Sequence, residues 1–175
     1  MERPFATRAL RLLCGVLVIA GLLGLSVATD AAPASTASCW GSGHSVVVDK
    51  AHQRAWLCNG SQQVGGAFSV TTHRYQPVRG TYRVFSKSGA VPIVFSGRKA
   101  YLDWWVGFAY GRYTGKTVGL HAVPRYASGG YGQAFSTVGS MAKYGVTGGC
   151  IREVPQQART TYGWLRIGDR VVVIS

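Results

Sequence analysis

The chain has 175 residues, which is enough for one ordinary domain and short for two. It carries 19 Lys and Arg against 6 Asp and Glu, a formal net charge of +13, and 47% of its residues are hydrophobic. That hydrophobic share excludes a disordered basic tail. The 24 glycines, about twice the usual fraction, are typical of a turn-rich β protein rather than a helical bundle. No collagen, heptad or solenoid repeat is visible in the sequence.

The first 34 residues are predicted to be a secretory signal peptide. Arg3, Arg8 and Arg11 precede an uncharged apolar run over residues 12–28, and small residues follow it. This order of a positive start, an apolar middle and a small-residue end is typical of an exported protein. The alternative is an uncleaved anchor, because the run is at the lower limit for a membrane span. Residues 29–38 are small and polar and indicate a linker, which is assigned to residues 35–43, so the folded domain spans residues 44–175.

A strong positive charge remains after the leader is set aside. The remaining chain has sixteen basic and four acidic residues, which gives a net charge near +12. Such an excess favours association with polyanions. For a secreted or wall-associated protein, the anionic polymers of a bacterial wall are better placed than nucleic acid, which we do not expect to be a partner. The alternative is that the charge only keeps the protein soluble, since charge alone does not choose a substrate.

The domain is predicted to be mainly β with one short helix near its C-terminal end. The helix is indicated by Pro155, which suits a first helical position, and by Ala158, Tyr162 and Leu165 at helical spacing, with Gly168 beyond its end. Short β-like runs separated by glycines and polar turns make up the rest. The predicted strands are residues 45–49, 54–58, 67–71, 81–85, 92–95, 117–121 and 170–174.

Three cysteines remain once Cys14 is assigned to the leader. An exported protein with three thiols usually pairs two of them and leaves one free. Cys39 and Cys58 flank the first two predicted strands, so a disulfide between them is favoured. Closing that loop would stabilise the fold by roughly 3 kcal/mol.

Cys150 has a different setting. It follows two glycines, which let a backbone approach a ligand closely, and it precedes Arg152, whose charge favours a thiolate. A free cysteine in an oxidising compartment is a liability unless it has a function. The alternative is a buried spare thiol, which is common in proteins. We interpret Cys150 as a candidate nucleophile.

A nucleophilic thiol needs a base, and His121 is the best placed of the four histidines. It ends the mostly apolar run 117–120, so it is expected at the end of a strand. A histidine opposite a glycine–cysteine turn is an arrangement for acyl transfer. No two histidines have metal-ligand spacing, so a metal site is not expected. The alternative is a hydrogen-bonded core histidine.

At these residues the sequence resembles the bacterial L,D-transpeptidases with a YkuD-type catalytic domain. The likeness is carried by His121 within residues 120–124 and by Cys150 within residues 147–152, and it extends over about residues 44–174. The 29 positions from His121 to Cys150 exceed the common spacing in the family, which implies a loop insertion around residues 126–141, a candidate lid. The supporting segments are residues 46–49, 54–57, 68–71, 77–82 and 167–171.

The resemblance implies a mixed β-sheet sandwich and a cysteine acyltransferase that needs no metal or organic cofactor. Cys150 would attack a peptidoglycan tetrapeptide stem, D-alanine would leave, and a second stem would resolve the thioester into a 3→3 cross-link. His121 would be the general acid and base, held by the carbonyl of Ala122, and Gly149 would contribute a backbone N–H to the oxyanion. Carbapenem-type inhibitors are expected to acylate the same thiol.

Three further residues are assigned to the site. Arg152 would hold the turn or a substrate carboxylate; the alternative is a surface charge paired with Glu153. Trp104 and Trp105 are expected to face opposite sides of a strand, and Trp105 is taken as the one near the substrate, together with Thr147 and Ala122. Two other functions stay open: an L,D-carboxypeptidase that uses water as acceptor, and a non-catalytic cationic module that binds wall polymers.

Overall fold

A computed structural model of the protein describes residues 39–112, 115–141 and 149–175. The predicted leader and Thr147 therefore lie outside the described residues. Across the described ranges, none of the helices combines the length and apolar character needed to cross a membrane. Two β-sheets and one α-helix account for most of these ranges.

The first sheet is built from the two ends of the domain. Its strand order is β3-β2-β1-β10-β4, and β1 pairs with β10 in parallel while the other pairs are antiparallel. The strands are β1 (His44–Asp49), β2 (Arg54–Asn59), β3 (Gln62–Ser69), β4 (Gly80–Arg83) and β10 (Arg170–Ile174).

The second sheet is built from the middle of the chain. Its order is β5-β6-β7-β9, with β8 added along β6. Only β7 and β9 are parallel in this sheet. The elements are β5 (Ser86–Phe95), β6 (Arg98–Tyr110), β7 (Thr117–Ala122), β8 (Arg125–Tyr126), a 3-10 turn (Phe135–Thr137), β9 (Ile151–Glu153) and the helix α1 (Pro155–Trp164).

The main core lies between the two sheets. Val46 and Val48 of β1 contribute from the first sheet, and Leu120 and Ile151 contribute from β7 and β9 of the second. These four side chains are at most 1% exposed, so water is excluded between the layers. Alternate positions of the same strands, such as Val47, point away from this core because successive side chains of a strand face opposite sides.

A disulfide joins Cys39 to Cys58, the pairing that the sequence favoured, and Cys150 is free. The disulfide lies on the outer side of the first sheet, where it packs with Val47, Trp56 and Val172. It therefore closes a small second core on a face that would otherwise expose large apolar side chains to water.

The strands agree in part with the sequence-based expectation. β10 has the predicted bounds, and β1, β2 and β7 differ from theirs by one residue. β3 begins five residues earlier and ends two residues earlier than predicted, and β5 begins six residues earlier. The predicted strands do not include β6, although it is the longest strand of the described residues, because both of its faces are partly apolar and no alternation marks it.

Glu153 links β9 to the helix from inside the protein. Its side chain is fully buried, and Thr161 of α1 donates a hydrogen bond of 2.7 Å to Glu153 Oε2. Burial, only partly offset by this hydrogen bond, raises the pKa of Glu153 to about 8. The carboxyl is therefore protonated at neutral pH, since an ionised group would lose its hydration there without gaining a counter-charge.

This buried acid predicts how stability depends on pH. The folded state keeps the Glu153 proton up to about pH 8, whereas an unfolded chain releases it near 4.5. Between those values the folded state binds more protons, so rising pH lowers the free energy of unfolding by about 1.4 kcal/mol per pH unit at most. Glu153→Gln, which is neutral throughout, should gain stability relative to the wild type over this range. Urea unfolding of both proteins at pH 5, 6, 7 and 8 measures this difference in the free energy of unfolding. If that free energy changed with pH equally in both proteins, Glu153 would not be a protonated buried acid.

Candidate active site

Parallel pairing of β7 with β9 brings together residues that are 29 positions apart. The register places Leu120 opposite Ile151 and His121 opposite Arg152. Leu120 and Ile151 point into the main core, so His121 and Arg152 face the other side of the sheet. Cys150, two residues before Arg152, is on that side as well. The sequence-predicted nucleophile, base and arginine therefore share one face.

His121 is held in one orientation. Its ring is 2% exposed, and Nδ1 lies 2.6 Å from the carbonyl oxygen of Ala122. A carbonyl only accepts hydrogen bonds, so Nδ1 carries the proton and Nε2 is left as an acceptor. Burial lowers the pKa of His121 to about 4, with the nearby charge of Arg152 acting in the same direction. The imidazole is therefore a neutral base at pH 7.

Cys150 is a buried thiol, 9% exposed. Burial raises its pKa above the usual value, while a hydrogen bond from the backbone of Gly119 and the charge of Arg152 oppose that rise. Arg152 favours the thiolate, as expected from the sequence, but desolvation outweighs the attraction of this one cation. The resting pair is a neutral thiol beside a neutral imidazole.

Trp105 forms the wall beside this pair. Its ring stacks on His121, with centroids 5.8 Å apart and an interplanar angle of 21°, and its Nε1 donates to Ser86 Oγ at 3.3 Å. Gly119 makes room for it: a Cβ there would come within 2.8 Å of the indole and 2.7 Å of the carbonyl oxygen of Val106. A glycine in β7 is thus required both for the indole and for the close approach of the Val106 backbone.

Trp104 faces the other way, as expected for neighbours on a strand. Its ring lies 5.5 Å from that of Tyr162 on α1. Its backbone has φ 59°, which interrupts the regular alternation of β6. As a result Leu102 and Trp105, three residues apart, lie in one cluster with Cys150.

A cavity of about 570 Å³ opens onto the thiol. Its walls are mostly apolar, from Val91, Ile93, Leu102 and Trp105, and Lys116 adds a positive charge. A recess of this size accommodates a peptide-sized group and excludes much of the water around it. The remaining lining residues are Ser86, Val94, Thr117 and Cys150.

Arg152 is buried, at 4% exposed, so the alternative of a surface charge paired with Glu153 is wrong. Successive residues of β9 face opposite sides of the sheet, and Glu153 instead accepts a hydrogen bond from Thr161. Arg152 Nη1 donates to Gln133 Oε1 at 3.3 Å, and the guanidinium lies 5.2 Å from the centre of the Phe95 ring. Burial lowers the pKa of Arg152, but not enough to discharge it.

Gly149 has φ 112°, a left-handed conformation that favours glycine. A Cβ at this position would also come within 2.8 Å of Gln76 Cβ and 3.1 Å of Val118 Cγ2. The residue before the thiol is therefore fixed as glycine by both backbone conformation and packing.

Three residues of the site were not found from the sequence. Gly119 and Thr71 carry no motif of their own, and Gln133 lies inside the inserted segment. Thr71 pairs with Arg152 through two backbone hydrogen bonds of 2.9 Å, in both directions. The available signal was weak: a glycine inside a strand pattern often marks a close approach of another group.

The electrostatics predict a thiol without a preformed ion pair. Alkylation of Cys150 by iodoacetamide should accelerate continuously from pH 6 to pH 9, because the thiolate fraction keeps rising below the elevated pKa. Intact-mass kinetics measure the rate, and Cys150→Ala controls for other sites. A rate that is high and flat between pH 5.5 and 8 would instead indicate a stable thiolate–imidazolium pair.

Comparisons with known proteins agree with this geometry. The family model described as the YkuD L,D-transpeptidase catalytic domain matches residues 43–173. A comparison with curated protein sequences found no match.

Solved structures share the fold at low identity. An L,D-transpeptidase from Stackebrandtia nassauensis is 22% identical over 82% of this chain and 62% of its own, with a TM-score of 0.60. One from Mycobacterium smegmatis is 20% identical over 77% and 60%, with a TM-score of 0.57. L,D-transpeptidase 3 from Mycobacterium tuberculosis, in complex with a faropenem-derived adduct, is 18% identical over 77% and 61%, with a TM-score of 0.56.

The chain spans about 60% of the length of these three solved chains. The family model, by contrast, covers three quarters of this chain and includes the whole face that holds His121 and Cys150. The protein therefore belongs to the L,D-transpeptidase family with a YkuD catalytic domain.

Proposed function

We propose that the protein is an L,D-transpeptidase that forms 3→3 cross-links between peptidoglycan tetrapeptide stems. The observation that carries the proposal is the pair of Cys150 and His121 on one face of β7 and β9, beside a mostly apolar cavity. Family membership supports the reaction class. A single thiol in a water-poor recess suits acyl transfer, because the thioester must survive until an amine arrives.

The first half-reaction forms a thioester. His121 Nε2 accepts the thiol proton as the sulfur of Cys150 attacks the carbonyl carbon of the third residue of the stem. The tetrahedral intermediate then collapses, the C–N bond to D-alanine breaks, and the protonated imidazole gives its proton to the leaving amine. The Nδ1 hydrogen bond to Ala122 keeps Nε2 directed at the reacting groups in both steps.

The second half-reaction transfers the acyl group. A side-chain amine of another stem attacks the thioester, loses its proton to His121 and releases the thiol of Cys150. Because burial disfavours the charged form of both groups, we expect proton transfer to accompany attack. No metal or organic cofactor takes part in these steps.

The other site residues support this chemistry. Backbone N–H groups at Gly149 and Cys150 would stabilise the oxyanion, a contribution of about 3 kcal/mol per donor. Trp105 would form the wall against which the stem packs, and the charges of Arg152 and Lys116 suit a substrate that carries carboxylates. Thr147 is assigned to the substrate side on the resemblance alone.

We also propose that the protein works outside the cytoplasm, exported by the leader of residues 1–34. Its excess of basic residues supports association with anionic wall polymers, which would concentrate it near its substrate.

The reaction itself is tested with purified disaccharide-tetrapeptides. The wild-type protein should release D-alanine and form a dimer linked between two third residues, which mass spectrometry of the products identifies. Cys150→Ala should abolish both products. Release of D-alanine with only tripeptide monomers would instead assign a carboxypeptidase that uses water, and no release from a folded protein would favour a wall-binding role.

Covalent inhibition tests the nucleophile separately. Solved L,D-transpeptidase structures include one in complex with imipenem. Imipenem should give one adduct on the protein, located at Cys150 by peptide mapping. His121→Ala should slow its formation by about 10²–10⁴-fold, the usual contribution of a positioned acid–base group.

His52→Ala is the matched control for the inhibition experiment. The His52 side chain lies in the turn between β1 and β2, is 70% exposed and bonds only Asp49 among the described residues. The rate of imipenem adduct formation on His52→Ala should stay within twofold of the wild-type rate. An adduct on any residue other than Cys150, or none on a folded wild-type protein, would overturn the nucleophile assignment.

A further inference from the structure

Residues 127–141, which follow β8, are exposed or half-buried except for Gln133. Gln133 is 2% exposed, whereas its neighbours Tyr131 and Phe135 are 42% and 44% exposed. Over residues 127–141, all of which the structure describes, it is the single buried position. A buried amide is unfavourable unless both of its ends are hydrogen-bonded. The partners of the Gln133 amide therefore indicate why it is buried at this position.

Both ends of the Gln133 amide are used. Its Nε2 donates to Thr71 Oγ1 at 3.1 Å, and its Oε1 accepts from Arg152 Nη1 at 3.3 Å. Thr71 and Arg152 are themselves joined by two backbone hydrogen bonds of 2.9 Å. The amide thus completes a closed network that connects the inserted segment with β9.

The surrounding contacts fix the segment in this position. The backbone N–H of Gly132 donates to the carbonyl oxygen of Pro124 at 2.7 Å, and Gly132 lies so close to Phe95 that any Cβ would overlap the ring. The N–H of Gly139 also approaches Thr71 Oγ1, at 3.4 Å. Contacts of the residues before and after Gln133 in the chain therefore hold its side chain next to Arg152.

Arg152 acts on the reacting groups through its charge. It favours the ionised form of Cys150 and the neutral form of His121. That action depends on where the guanidinium lies, because electrostatic interaction in a buried site changes steeply with distance. A neutral amide orients the guanidinium without cancelling its charge, which a carboxylate at the same place would do.

We propose that Gln133 is a positioning residue, whose amide holds the Arg152 guanidinium beside the Cys150–His121 pair and so makes thiol reactivity depend on the inserted segment. The inference builds on the proposed function for the identity of the nucleophile. It extends that function by assigning the insertion a part in catalysis that none of the sequence motifs indicated.

The test follows the thiol directly. Among the described residues, the titratable or charged groups facing the thiol are His121 on β7, Arg152 on β9 and Lys116, which lines the same cavity before β7. The rate of Cys150 alkylation by iodoacetamide is measured from pH 6 to pH 10 for the wild type, Gln133→Ala and Gln133→Glu. Ser136→Ala, an exposed position of the same segment, is the matched control.

The expected result is a shift of the titration toward higher pH in both Gln133 variants. Gln133→Ala removes a hydrogen bond that orients the guanidinium, and Gln133→Glu keeps the size of the side chain but offsets the positive charge. A shift of one unit lowers the rate at pH 7.5 by about tenfold, since the thiolate fraction falls by that factor. Ser136→Ala should follow the wild-type curve.

A merely structural role would give a different pattern. It would lower the melting temperature of the variants while leaving their pH–rate curves on that of the wild type, and that outcome overturns the proposal. If Gln133→Ala does not fold, Gln133→Met, which is uncharged and of similar size but has no amide to bond Arg152, decides alone. Because iodoacetamide needs no stem peptide, a shifted titration in a protein without transpeptidase activity would reject the proposed function and keep the positioning role.

Discussion

The parallel pairing of β7 with β9 is the constraint on which the rest of the site depends. One register sets His121 opposite Arg152 and, two residues earlier, brings Cys150 beside the backbone of Gly119. The same register puts Leu120 and Ile151 into the core between the sheets. A slip of one residue would exchange the two faces, so the packing of the core and the assembly of the site are specified together.

This arrangement explains why the site contains so many buried polar groups. The face that holds the thiol is covered on one side by Trp105 and on the other by the segment that carries Gln133. Burial then keeps His121 and Cys150 uncharged, whereas Arg152 stays charged because its guanidine group is a much stronger base than imidazole. The site therefore combines two neutral reacting groups with one fixed positive charge, an electrostatic setting prepared before any substrate binds.

Glycines allow Trp105 and the segment that carries Gln133 to pack over the face that holds the thiol. Gly119 leaves space for the indole of Trp105, and Gly149 allows the turn that presents Cys150. Gly132 allows the inserted segment to lie against Phe95. On the opposite face of the same sheet, Glu153 is buried as a neutral acid against α1, so β9, which directly follows the thiol, is fixed from both sides.

The sequence by itself determined the mainly β class and the helix after residue 155, favoured the Cys39–Cys58 pairing, and indicated His121 and Cys150 as candidate catalytic residues. These follow from local patterns: turn residues, a proline at a helix start, the number of thiols, and the short motifs around each of the two candidate residues. The tertiary structure alone decided the burial of Arg152, the net direction of the Cys150 pKa, the wall formed by Trp105 over Gly119, and the contact of Gln133 with the site. The physical reason is that desolvation and strand register depend on what packs against a residue from distant parts of the chain, and no local pattern records those neighbours.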